Sequence, residues 1–258
     1  MSAILVLKLA LVPALIALIT LAGRRWGAQV AGWLSAFPVV SAPILLFIAL
    51  EQGAGFAAQA AVATASAVLC ALAFGLAYAW AATRQAWPLA ALIGFSCYFL
   101  SVALLAHWAP PLWQALATAG VALLLAPRLY PQAALSPEAA RPHSRVDIPL
   151  RMIAAAALVL LVTHFSARMG PRLSGLYAMF PVMASVLAVF SHRQQGAGFT
   201  VLLMRGMMLG YWGFAAFCGT LALSLPRLGI AGAFGMALTA AVVVQGLTRL
   251  LVLRLARP

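Results

Sequence analysis

Apolar residues run along this chain in long blocks, and polar residues only punctuate them. The blocks fall at about 3–22, 30–50, 56–82, 87–107, 111–128, 150–167, 173–190, 199–224 and 229–253. A helix needs about 20 apolar residues to cross a hydrocarbon core of about 30 Å, and each block is near that length. The pattern predicts an all-α polytopic membrane protein with about nine transmembrane helices. The only long polar stretch, 130–149 (YPQAALSPEAARPHSRVDIP), reads as a linker. The first block reads as a span and not a cleaved leader. No charged stretch precedes it, Lys8 lies inside it, and about 20 residues is long for a signal h-region.

Composition removes whole classes of function. Hydrophobic residues make up 66% of the 258 and charged ones 7%, against about a quarter charged in a soluble domain. A soluble enzyme, a secreted disulfide scaffold and a nucleic-acid-binding domain are thereby excluded. Cys70, Cys97 and Cys218 all lie inside apolar runs with no C-x-x-C spacing, which suggests neither zinc nor a disulfide framework.

The charge is lopsided, with 16 Lys and Arg against three Asp and Glu. The cations sit at the ends of apolar runs and form no face that could track a nucleic-acid backbone. With nine spans, one side receives Arg24, Arg25, Arg84, Arg128, Arg141, Arg145, Arg193, Arg254 and Arg257, and the other Arg168, Arg172 and Arg227. The positive-inside rule makes the first side cytoplasmic, with the N-terminus outside and the C-terminus inside. Anionic headgroups make membrane lipids expected partners, and the Ala/Arg/Gly-rich composition suggests a bacterial inner membrane.

The chain also repeats itself. Residues 143 apart align without a gap: Arg25 and Gly27 with Arg168 and Gly170, Gly32 with Gly175, Phe37-Pro38-Val39 with Phe180-Pro181-Val182, and Gln52-Gly53-Ala54-Gly55-Phe56 with Gln195-Gly196-Ala197-Gly198-Phe199. With Phe47 opposite Phe190, that makes 12 identities in 32 positions over 25–56, where chance in so biased a composition gives about three. Span one then pairs with span six and span four with span nine, leaving span five alone. An offset of five spans is odd, so the copies enter the membrane from opposite sides. The expected organisation is a first membrane repeat (1–110), an unpaired helix with cytoplasmic linker (111–149) and a second, inverted repeat (150–258). Inverted repeats are a hallmark of secondary transporters.

Several residues carry candidate chemistry. Pro38 and Pro181 fall inside spans two and seven, so each helix kinks or breaks there. A substrate site between the two broken helices would involve Ser35, Phe37, Pro38, Ser41, Phe180, Pro181 and Ser185, and the alternative is a kink that only shapes packing. The runs containing Gln52, Gly53 and Gly55, and Gln195, Gly196 and Gly198, fit either a tight turn with positive φ or an anion-docking helix start. Arg25 and Arg168 precede spans two and seven, as anion ligands or as snorkelling cations. Glu51, with His164 as relay, is the candidate proton carrier.

No catalytic or metal-ligand spacing is visible, so the chain is expected not to be an enzyme and to need no cofactor. The segment Gly175-Leu176-Tyr177-Ala178-Met179-Phe180-Pro181 resembles the G-L-x-x-x-F-P segment of the small GlpM-like integral membrane proteins. The likeness covers the second half and is weaker in the first, where Trp33 stands at the place of Leu176. It implies a fused, inverted duplicate of a protein about half this length, and it leaves the substrate open. The expected work is alternating-access transport or flipping of an anionic or amphiphilic substrate, including lipid-linked phosphates. A non-transporting envelope scaffold is the second reading and a lipid-processing enzyme the third. Homo-oligomerisation stays open.

Overall fold

The computed structural model describes the backbone of residues 3–132, 146–166 and 171–255, and the side chains of residues 12–132, 146–161 and 173–251. All the regular elements among them are helices: α1 (Ala3–Trp26), α2 (Ala28–Ser35), α3 (Ser41–Gln52), α4 (Ala54–Ser66), α5 (Val68–Ala82), α6 (Trp87–Ala106), α7 (Leu112–Leu129), α8 (Asp147–Ser166), α9 (Pro171–Ala178) and α10 (Val182–Leu255). Non-helical Gly196 and Gly229 divide α10 into three legs, here α10a (182–195), α10b (197–228) and α10c (230–255). Among the described residues, Ala54–Ala82, Trp87–Ala106, Leu112–Leu129 and Leu173–Leu251 are stretches long and apolar enough to cross a membrane.

The breaks come from proline and glycine, and they repeat at the same offset as the sequence. Pro38 has no N–H to continue α2, but its carbonyl accepts the Ala42 amide at 2.8 Å and starts the next helix. Between them the Val39 amide donates to the Phe37 carbonyl at 2.7 Å, a γ-turn across the proline. The second copy repeats both bonds, Ser185 to Pro181 at 2.8 Å and Val182 to Phe180 at 2.7 Å. The glycine break repeats too. Gly53 has φ 88° and Gly196 φ 81°, a region that costs any residue with a Cβ. The expectation of a positive-φ turn at the two Gln-Gly runs therefore matches the backbone.

Close helix packing rests on small residues. A Cβ added to Gly32 would lie 2.0 Å from the Leu203 carbonyl oxygen, and one added to Gly175 2.3 Å from that of Ala60. These two contacts are reciprocal: Leu203 and Ala60 are themselves 143 residues apart. Thus α2 of the first copy lies on α10b of the second, and α9 of the second lies on α4 of the first. A buried threonine ties the latter crossing, with the Thr64 hydroxyl reaching the carbonyls of Ala60 (2.8 Å) and Gly175 (2.9 Å). The core follows α4, α5, α10a and α10b, whereas α6, α7 and α10c present Leu100, Leu104, Trp113, Leu124 and Leu251 outward.

Side-chain bonds gather several helix ends at one pole. The Trp80 indole donates to the Leu129 carbonyl (2.8 Å), and Arg205 to that of Tyr130 (3.3 Å). The Tyr78 hydroxyl lies 3.5 Å from His192 Nδ1, and Arg24 pairs with Asp147 at 2.9 Å. Gln194, two residues beyond His192, also bonds Asp147. Arg24, Arg25, Arg84, Arg128 and Arg193 flank these contacts and so share this pole.

Candidate functional site

The two Phe-Pro turns meet at one place. Between them lies a cavity of about 40 Å³, lined by Ser35, Phe37, Ser41, Phe180 and Pro181 together with Ala36, Val40, Met179, Met183, Met207 and Tyr211. That volume holds about two or three water molecules. The wall is mixed: two serines and a tyrosine stand among methionine and phenylalanine. Ser35 donates to the Gly32 carbonyl at 2.7 Å. Ser41 donates to the Ala178 carbonyl at 2.6 Å, capping the end of α9 with a residue from the other copy. Pro38 and Ser185 are buried beside the crossing, Ser185 on the Val182 carbonyl.

The two phenylalanines occupy different surroundings. Phe180 is caged by α6, 5.8 Å from Phe95 (stacked), 5.5 Å from Tyr98 (edge-on) and 6.2 Å from Phe99. Among the described residues Phe37 has no ring partner. The positions of α10c 143 residues beyond Phe95, Tyr98 and Phe99 are Leu238, Ala241 and Val242, none of them aromatic. Replacing Phe180 by alanine should cost about 3 kcal/mol, whereas Phe37→Ala should cost at least about 1 kcal/mol less, for want of aromatic pairs. Thermal unfolding of both variants in detergent checks this.

The remaining candidates lie elsewhere. Gln52, Gly53 and Gly55 are exposed at the junction of α3 and α4, and Gln195, Gly196 and Gly198 are half-buried at that of α10a and α10b. Neither run lines the crossing cavity. Arg25 is exposed beside Trp26, its guanidinium 5.9 Å from the indole centroid, and lines an apolar groove along α1. Glu51 is exposed at the end of α3. Arg168 and the side chain of His164 lie outside the described residues.

A buried charge cluster escaped the sequence reading. Asp147 and Arg151 are each 1% exposed and pair at 2.9 Å, one helical turn apart at the start of α8. Arg24 takes the second carboxylate oxygen, Gln194 bonds both partners, and the Arg151 guanidinium lies 5.2 Å from the Phe190 centroid. Asp147 lies ahead of the apolar run of α8. Burial pushes its carboxyl upward, but the bond and charge of Arg151, with Gln194 and Arg24, outweigh that and hold it below the ordinary 3.8. The signal was present as an acid four residues before a base in a helix's first turn. Position 147 falls at the end of the polar stretch 130–149, where a lone acid reads as part of a linker.

Among the described residues no group of three or more His, Cys, Asp and Glu could hold a metal ion. No family model, no curated protein and no solved structure matches this chain.

Proposed function

We propose that this chain is a secondary transporter or flippase, working by alternating access on an anionic or amphiphilic substrate. The observation that carries the reading is the reciprocal crossing. The first copy's α2 lies on the second copy's α10b, the second copy's α9 lies on the first copy's α4, and both Phe-Pro turns face one small cavity. Reciprocal contacts are what a two-fold relation between halves requires. In this reading the chain has nine spans as two inverted four-span repeats plus α7, and exchanging the halves' conformations opens the cavity to alternate sides. The arginine-rich pole is then the cytoplasmic face of a bacterial inner membrane, with the N-terminus outside. The likeness to GlpM-like proteins fits a fused duplicate. At about 40 Å³ the cavity fits an occluded state, since no solute larger than water fits without movement of the turns.

The same small volume favours a second reading, a scaffold whose crossing never opens. Chemical accessibility separates the two. In a variant with Cys70, Cys97 and Cys218 replaced by alanine, Ser41→Cys is exposed to a membrane-impermeant thiol reagent from each side of oriented vesicles. Alternating access predicts modification from both sides, with rates that a transported solute shifts in opposite directions. A thiol that stays unmodified from both sides until the protein is denatured would overturn transport in favour of the scaffold.

A further inference from the structure

We infer that the groove along α1 is a docking site for one phospholipid with an anionic phosphate headgroup, and that it is the lateral entrance to the crossing. The groove encloses about 470 Å³ and is lined by Leu15, Leu18, Ile19, Leu21, Ala22, Leu34 and Val39, with Arg25 and Trp26 at one end and Phe37 at the other. Its length decides the occupant. From Leu15 to Arg25 a helix rises about 15 Å, half of a hydrocarbon core of about 30 Å. The groove is therefore one leaflet deep, the span of one lipid tail measured from its headgroup.

The chemistry at its two ends decides the headgroup and the direction. Arg25 is an exposed cation at the arginine-rich pole, free to offer a planar fork of donors to a phosphate. Trp26, 60% exposed, places an amphipathic ring where headgroups meet tails. Apart from these two residues the lining is apolar, as an acyl chain requires. At the inner end Phe37 lines both this groove and the crossing cavity. Among the described residues it is the one that lines both spaces, and it lacks the aromatic cage that fixes Phe180. A rotation of Phe37 would join the two spaces.

The inference rests on the transport reading only for the entrance. The docking itself is tested separately, by photolabelling the full-length protein in vesicles. Phosphatidylglycerol and phosphatidylcholine, each with a diazirine midway along one chain, are compared, and the labels are mapped by peptide mass spectrometry. Phosphatidylglycerol should label residues 15–22, 34 and 39 about fivefold more than phosphatidylcholine, the factor one basic residue gives at a membrane surface. Arg25→Gln should bring that ratio close to one. Arg84→Gln should leave it unchanged: Arg84 lies 5.8 Å from the Trp80 centroid, the same chemical pair away from the groove. Inorganic phosphate should not compete, because the tail supplies most of the binding.

Equal labelling by the two lipids, or an Arg25→Gln ratio like that of the native protein, would mean ordinary boundary lipid and would overturn the docking site. Full competition by inorganic phosphate would overturn the lipid as occupant. A dithionite assay of fluorescent phosphatidylglycerol flipping in the same vesicles keeps the two proposals apart. Selective labelling without flipping leaves the docking site and removes the entrance; flipping without selective labelling leaves transport and removes the docking site.

Discussion

Gly32→Ala should destabilise the protein by about 3 kcal/mol or more, enough to prevent assembly in a marginally stable fold. The added Cβ meets backbone and no flexible side chain: the Leu203 carbonyl oxygen at 2.0 Å, its carbon at 2.9 Å and the Met207 nitrogen at 2.9 Å. A side chain could turn away, but α10b would have to translate as a unit. Gly175→Ala should behave alike, because its Cβ would stand 2.3 Å from the Ala60 oxygen and 2.7 Å from the Ala63 Cβ. Gly55→Ala is the control. It lies in α4 with nothing within 4 Å, so alanine's helix preference should give a gain of up to about 1 kcal/mol. Thermal unfolding of the three variants in one detergent checks the order. If Gly32→Ala melted with the native protein, the interlocked crossing would be wrong. A variant too unstable to purify gives the same answer through its yield, provided Gly55→Ala expresses normally.

That crossing also marks how far the sequence could be read. The helix breaks were legible because proline and glycine act locally. Pro38 and Pro181 lack the N–H that would continue a helix, and the Gln-Gly turns need positive φ whatever surrounds them. The partners of those breaks were not legible. That Gly32 meets Leu203 and Gly175 meets Ala60 is a fact of packing, and Leu203 and Ala60 have no chemical likeness that an offset could flag. Glycine at both 32 and 175 was visible as an identity, without a reason attached. The candidate site was therefore half readable. Ser35, Phe37, Ser41, Phe180 and Pro181 do converge on one cavity, while the Gln-Gly runs and Glu51, prominent for their polarity, lie away from it. Polarity was a poor guide because backbone turns and span ends also require polar residues.

The buried charges carry the other large effect. Asp147→Asn should cost about 3–5 kcal/mol, the usual penalty for leaving one member of a buried pair without its partner. The stranded group is Arg151, 1% exposed. It would keep Gln194 and the Phe190 ring, neither of which neutralises a charge. Removing both charges, as Asp147→Leu with Arg151→Met, should recover most of the loss, because a well-packed apolar pair needs no compensation. Arg24→Gln should cost less than Asp147→Asn, since the Arg24 side chain is 25% exposed and its bond to Asp147 is partly screened by water. Acid should act through the same carboxyl. A carboxyl whose folded pKa lies below its unfolded value stabilises the fold at higher pH, and that stability is lost as the pH falls through the folded value. The melting temperature of the native protein should therefore be level from about pH 8 to 5 with respect to this group and fall below about pH 4, starting from the ordinary 3.8. In Asp147→Asn that part of the acid limb should be missing, because no proton remains to be taken up at the site. A double variant no more stable than Asp147→Asn, with an acid limb like that of the native protein, would mean that the cluster does not hold α1, α8 and α10a together.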